Sequence, residues 1–182
     1  MKRKERNRQK NGRGHVWSVR ELCLYTCLGD LIFILKMIMA SLPNIEPVTL
    51  CIILLAVVFG RKALWAVGVY IALELLVWGI SLWSVCYLYL WPGLFFLAYA
   101  LRKEDSAFVW ACIAALFGFG FGALGSLPQF FLGGWTAAFS WWQAGLFFDL
   151  LHGAGNFVLT LLVFTPLKKT FEILKKRWIQ KS

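Results

Sequence analysis

Six apolar stretches separated by short polar turns fill most of this chain, and its cations fall only in alternate turns. Of the 19 Lys and Arg residues, eight lie in residues 1–21, two are Arg61 and Lys62, two are Arg102 and Lys103, and six fall between Lys168 and Lys181. The nineteenth, Lys36, is inside the first stretch, and the remaining turns carry no Lys or Arg. Threaded six times through a bilayer with the N-terminus inside, the chain leaves every cation but Lys36 on one face, as the positive-inside rule demands. The expected fold is therefore all-α: a polytopic bundle of six transmembrane helices, N-terminus and C-terminus cytoplasmic, in a bacterial cell membrane.

Composition sets how much else the chain can hold. A helical span needs about 20 apolar residues, so six spans take roughly 120. With 60% of 182 residues hydrophobic, what remains is a basic cytoplasmic arm (1–21), a six-helix transmembrane domain (22–166) and a basic cytoplasmic tail (167–182). No separate soluble domain fits. Basic flanks orient spans and meet anionic headgroups, so the net charge of +10 does not call for nucleic acid. The N-terminus mimics a signal peptide, but the apolar run from Leu22 to Leu42 is too long for one and is interrupted by Asp30 and Lys36, so it is read as a retained span. Cys23, Cys27, Cys51, Cys86 and Cys112 form no CxxC pair and read as packing residues, with no metal site and no cofactor implied.

The spans are expected at about 22–41, 48–60, 63–83, 85–101, 107–127 and 141–165. Pro43 and Pro47 punctuate the first external turn, Pro92 is expected to kink the fourth span, and Ser106 to cap the fifth. Gly118, Gly120, Gly122 and Gly125 in the fifth permit close helix approach. Residues 128–140 read as an apolar external connection, and Pro166 as the start of the exit to the tail. Trp83, Trp91, Trp135, Trp141 and Trp142 fall near the outer boundary. They suit an aromatic belt or the wall of a cavity, and ten Trp residues exceed what a belt needs.

Ionisable groups in a bilayer are costly and are kept where they pair or face a cavity. Here they are Asp30 and Lys36 in span one, Glu74 in span three, and Asp149 with His152 and Asn156 in span six. Trp142, Gly145, Asp149, His152 and Asn156 share one helical face, opposite an apolar one. Such a stripe either glues helices together or lines a substrate site. At 1.5 Å per residue, Lys36, Glu74 and Asp149 reach similar depths, roughly 16–21 Å above the cytoplasmic side, so Lys36 is expected to be neutralised by Asp149 or Glu74. Tyr70, Glu74 and Trp78 form a second stripe, suited to a flat or cationic ligand or to plain packing. No nucleophile elbow, phosphate loop or metal triad accompanies these groups.

The segment KMIMASLPNIEPVTLCIILLAVVFGRKAL and the span-six segment AGLFFDLLHGAGNFVLTLLVFTPL together resemble the substrate-binding S components of energy-coupling factor (ECF) vitamin transporters, which are small, basic-ended, six-helix proteins. The resemblance implies high-affinity capture of a vitamin or related micronutrient from outside. It also implies partners: a transmembrane coupling subunit and two ATPase subunits that supply the hydrolysis this chain has no motif for. It nominates Asn44 and Glu46 in the first external turn, and Trp142, Asp149 and His152 on span six, as substrate-binding residues. Glu74 and Trp78 join them from the stripe on span three, with Asp30, Lys36 and Asn156 as a structural polar network. The chain departs from the family in lacking the Ala-x-x-x-Ala docking pattern on helix one; Cys23 and Cys27 hold the corresponding spacing. Two other classes stay open: an intramembrane enzyme acting on a lipid-linked substrate through Asp149, His152 and Glu74, and a structural membrane scaffold.

Overall fold

The computed structural model describes residues 17–41 and 45–179. Among them every regular element is helical. Helix α1 spans Val19–Ile38, α2 Val48–Leu54, α3 Leu64–Trp78, α4 Leu82–Ala100, α5 Ala107–Phe119, α6 Phe121–Gly125 and α7 Leu127–Trp178. A π turn, Leu55–Phe59, prolongs α2, and a 3-10 turn, Arg61–Ala63, opens α3. Two of these helices, α4 and α7, are long and apolar enough to cross a membrane.

Local chemistry sets the boundaries. Ser18 and Glu21 form a capping box: the Ser18 hydroxyl accepts from the Glu21 N–H at 3.1 Å, and the Glu21 carboxylate accepts from the Ser18 N–H at 3.1 Å. Two helix-initiating N–H groups are thereby satisfied. Ser81 does the same for α4 through Ser84, and Ser106 caps α5 by accepting from the Val109 N–H, as its place before the apolar run predicts. The π turn ends at Gly60, whose φ of +76° is open to glycine and strained for other residues.

The fifth and sixth stretches differ from their expected outline. The fifth does not run unbroken to 127: α5 stops at Phe119, and α6 is a short continuation across Gly120. The expected external connection at 128–140 is helical and belongs to α7. The break there comes at Gly133 (φ −141°, ψ 16°) and Gly134 (φ 68°, ψ −163°), a left-handed turn that only glycine makes cheaply. At the other end Pro166 does not start an exit, and the helix runs through it to Trp178. Pro166 and Leu162, whose carbonyl loses its partner, both lie on the exposed side, and the Thr170 hydroxyl donates to the Pro166 carbonyl at 3.1 Å. Pro92 is likewise carried inside α4.

Packing is organised around α2, every residue of which is buried. At 1.5 Å per residue its 12 residues with the π turn span roughly 18 Å, and the other helices cover it on all sides. The most extensive pairing is α5 with α7, and α1 lies along α3. Both are glycine contacts. A Cβ on Gly118 would sit 2.7 Å from the Gly153 backbone, and one on Gly29 would sit 2.6 Å from the Ala66 carbonyl oxygen. Three polar ties gather the cationic segments at one end of the bundle. Lys62 binds the Glu21 carboxylate at 2.6 and 2.7 Å, Lys168 pairs with Asp105, and Lys175 donates to the Val58 carbonyl at 2.6 Å.

Candidate functional site

Near the end of the bundle away from its cationic segments, where α1 and α3 finish, an ion pair is buried. Lys36 on α1 donates to Glu74 on α3 at 2.8 Å and to the Tyr87 hydroxyl on α4 at 3.2 Å. Of the two partners left open by depth, Glu74 is the one it takes. The Glu74 side chain is 4% exposed and that of Lys36 20%, so the charges answer each other in a low dielectric. The Lys36 ammonium also lies 4.9 Å from the Tyr87 ring centre and 6.0 Å from that of Tyr70, and the two rings stack at 6.4 Å. Glu46, partly buried in the connection before α2, lies within electrostatic reach of both Lys36 and Glu74. Burial pushes its carboxyl above the usual range, Lys36 opposes that rise and Glu74 adds to it.

A chain of contacts leads from this pair to a cavity. The Trp83 indole N–H donates to the Tyr87 hydroxyl at 3.1 Å, and Trp83 also walls a cavity of about 240 Å³ with Phe121, Trp141, Phe148, Gly145 and Asp149. Tyr87, Trp91, Phe117 and Phe121 fill the space behind it, with ring centres 5.5–6.5 Å apart. Half of the cavity's wall residues are aromatic; the rest are Gly122, Ala144, Gly145 and one carboxylate.

That carboxylate is held in an unusual way. Asp149 is 6% exposed, and its Oδ1 accepts from the Gly122 N–H at 2.9 Å. The α5–α6 bend brings this N–H to it, and Gly122 has no Cβ because a Cβ there would overlap the carboxylate. The second oxygen, Oδ2, is buried without a hydrogen-bond partner. One turn along α7, His152 meets Phe121 edge-on at 5.0 Å, and its Nε2 also lacks a partner. Buried polar atoms are ordinarily satisfied, so an orphan oxygen at the wall of a cavity marks a place for a donor.

The remaining expected residues separate into groups. Asn156 donates to the Thr49 hydroxyl at 3.1 Å and to the Ala114 carbonyl at 3.3 Å, and so acts as glue between α2, α5 and α7. Trp142 packs against Phe139 with its indole N–H buried and unsatisfied, beside the cavity's wall residues along the chain but outside its lining. Trp78 is 61% exposed at the end of α3, and the structure does not bring it to Asp149. Its i+4 spacing from Glu74 does not carry it inward, because α3 leaves the bundle one turn after Glu74. Asp30 is partly buried on α1 and belongs to none of the ion pairs among the described residues. Asn44 lies outside the described residues.

Sequence reasoning missed Phe121, Gly122 and Phe148 as site residues, and Tyr87 as the second partner of Lys36. Trp83 and Trp141 carried a signal, their position at the outer boundary, that belt and cavity share. Gly122 carried none: one of four glycines in a glycine-rich span reads as packing.

The cavity has definite chemistry. It is larger than the roughly 150 Å³ that holds a benzene ring and smaller than the roughly 300–1,000 Å³ of drug-sized sites. It suits a small ring compound bearing an N–H donor or a positive charge, which indole faces attract. Neither by sequence nor by shape does the chain match a protein-family model, a curated protein or a solved structure, so its activity is argued from these residues.

Proposed function

We propose that this chain is the membrane-embedded substrate-capture subunit of an ECF-type importer, binding a vitamin-like or related micronutrient with high affinity. In this reading α1, α2, α3, α4, α5 with α6, and α7 make six spans of a multi-pass cell-membrane protein whose two termini are cytoplasmic. The coupling subunit and the ATPases are separate chains. One observation carries the reading: Asp149 lines an aromatic cavity with one oxygen held by the Gly122 N–H and the other buried without a partner. A donor on the ligand supplies the missing hydrogen bond. Trp83, Trp141 and Phe121 sandwich its ring, and Trp83 connects the site through Tyr87 to the Lys36–Glu74 pair.

The test is mass spectrometry of small molecules released from the purified chain, followed by titration of the released compound against tryptophan fluorescence. Capture predicts one ring-bearing, donor-bearing compound in near-stoichiometric amount and no turnover. In Asp149→Asn one oxygen still accepts from Gly122, so the fold stands, but affinity falls about 10–100-fold for loss of a charge-assisted bond. A protein that releases no compound, and whose Asp149→Asn variant is indistinguishable from wild type, sinks the reading in favour of a scaffold. Turnover abolished by Asp149→Asn favours an enzyme.

A further inference from the structure

A second concavity, of about 310 Å³, opens at the cation-bearing end of the bundle. It lies between the end of α2, at Val57 and Val58, and the last turns of α7. Four cations face it, Arg102, Lys168, Lys175 and Lys176, against one carboxylate, Glu172. The place is built, since Phe171 seats α7 against Phe59 at 5.7 Å and Lys175 fixes the α2 end through the Val58 carbonyl.

Two of the four cations already have acceptors: Lys175 has that carbonyl, and Lys168 has Asp105. Arg102 is oriented by its own ring stack, 4.2 Å over Tyr99, and by a 3.4 Å bond to the Tyr99 carbonyl. Lys176 belongs to none of the ion pairs among the described residues. Like charges converging on a concavity repel unless an anion joins them, and a phosphate, with several acceptor oxygens, matches a planar guanidinium flanked by ammonium groups. The space equals that of about ten waters at ~30 Å³ each, more than a phosphate alone requires. Exposed apolar residues follow or precede the lining residues along the chain: Leu101 before Arg102, Ile173 after Glu172, and Trp178 two places after Lys176. Apolar surface at this end of the bundle suits acyl chains.

The geometry points to a phosphate-binding site here, filled by the headgroup of an anionic glycerophospholipid. It is independent of the ligand-capture reading and rests only on this end of the bundle lying at a membrane surface, where basic recesses between helices take such headgroups.

The test uses the purified full chain in neutral detergent. Three probes are titrated: dihexanoyl phosphatidylglycerol, dihexanoyl phosphatidylcholine and inorganic phosphate. Saturable binding of the phosphatidylglycerol, at least tenfold tighter than of the other two, is the expected result. Equal affinity for inorganic phosphate keeps the phosphate site but assigns it to a soluble anion. The exposed pair Arg102→Gln with Lys176→Gln is expected to weaken binding roughly 30-fold, from two charges near the surface. Glu172→Gln, which removes the opposing charge, is expected to tighten it several-fold, so a simple loss of folding cannot mimic both results. No saturable binding of any probe, or affinities unmoved by either variant, overturns the proposal.

Discussion

Lys36 and Glu74 show how one pair of side chains constrains the rest. Neither charge is tolerable alone in an apolar bundle, and each is held by the other at 2.8 Å. Removing one partner of a buried pair costs about 3–5 kcal/mol, because the survivor stays buried and uncompensated, whereas replacing both with apolar groups is often neutral. Lys36→Met is therefore expected to lose that much stability in a detergent unfolding titration. Lys36→Met combined with Glu74→Leu is expected to regain most of it. A single variant as stable as wild type would show that the pair contributes nothing. That an ion pair exists could be foreseen, since charges inside apolar runs must be answered, and equal depth narrowed the partner to two. Depth alone could not choose between them. The choice was made by helix pairing: α1 lies along α3, which seats Lys36 against Glu74 at 2.8 Å. Which helices will lie side by side leaves no mark on side-chain patterns.

Helices were legible where a single periodicity or a capping residue governs them. Ser106 precedes an apolar run and caps it as expected. Ser18 and Ser81 also cap helices, but Ser18 falls in the expected basic arm and Ser81 inside the expected third span, and neither is read there as a cap. Pro166 misled: a proline removes one N–H donor without having to end a helix, and α7 runs through it to Trp178. Glycines were legible in kind and not in detail. The close approach expected of span five is real, but it depends on Gly118 meeting Gly153 of α7. Two small residues far apart in sequence have to coincide, which one strand of text does not reveal. The same contact gives a prediction about the α5–α7 pair. Gly118→Ala places a methyl 2.7 Å from backbone that cannot give way, and overpacking of this kind costs about 1–3 kcal/mol. Because α7 carries Asp149 one turn from Gly153, the variant is expected to lose affinity for the cavity's ligand along with stability. Gly68→Ala, with nothing within 4 Å of a new Cβ, is the control and is expected to leave affinity unchanged and stability equal or slightly raised, by up to about 1 kcal/mol. If Gly118→Ala and Gly68→Ala unfold together at the wild-type midpoint, the α5–α7 contact is not what holds the site.

The distribution of charge makes one statement about the assembled bundle that no single helix makes. Glu21 with Lys62, Asp105 with Lys168, and Val58 with Lys175 tie the start of α1, the end of α2, the α4–α5 turn and the last turns of α7 to one end. Beyond Gly134, α7 runs through residues 135–178, roughly 66 Å at 1.5 Å per residue, about twice a ~30 Å hydrocarbon core. A helix so long cannot be wholly immersed. Its last third carries Lys168, Lys169, Lys175, Lys176 and Arg177, so that third is the part that must stand in water. If the bundle lies in a membrane, the cation-bearing end then faces the cytoplasm, where anionic lipid and the insertion machinery both favour it. The opposite end, with the α3–α4 turn at Ile80, 87% exposed, faces out. The prediction is a labelling pattern. With the five native cysteines replaced, Ile80→Cys is expected to react with a membrane-impermeant thiol reagent in intact cells. Lys103→Cys, in the α4–α5 turn, is expected to react only after the membrane is opened. Turning the bundle over would bring eighteen cations across the membrane, so a mixed population is not expected. Reaction of Lys103→Cys in intact cells would place the tail outside and remove the basis for a cytoplasmic lipid site. Reaction of neither, in cells that make the protein and label a known external thiol, would mean that the α3–α4 turn does not reach the outer surface, and that the chain crosses fewer times than its charges imply.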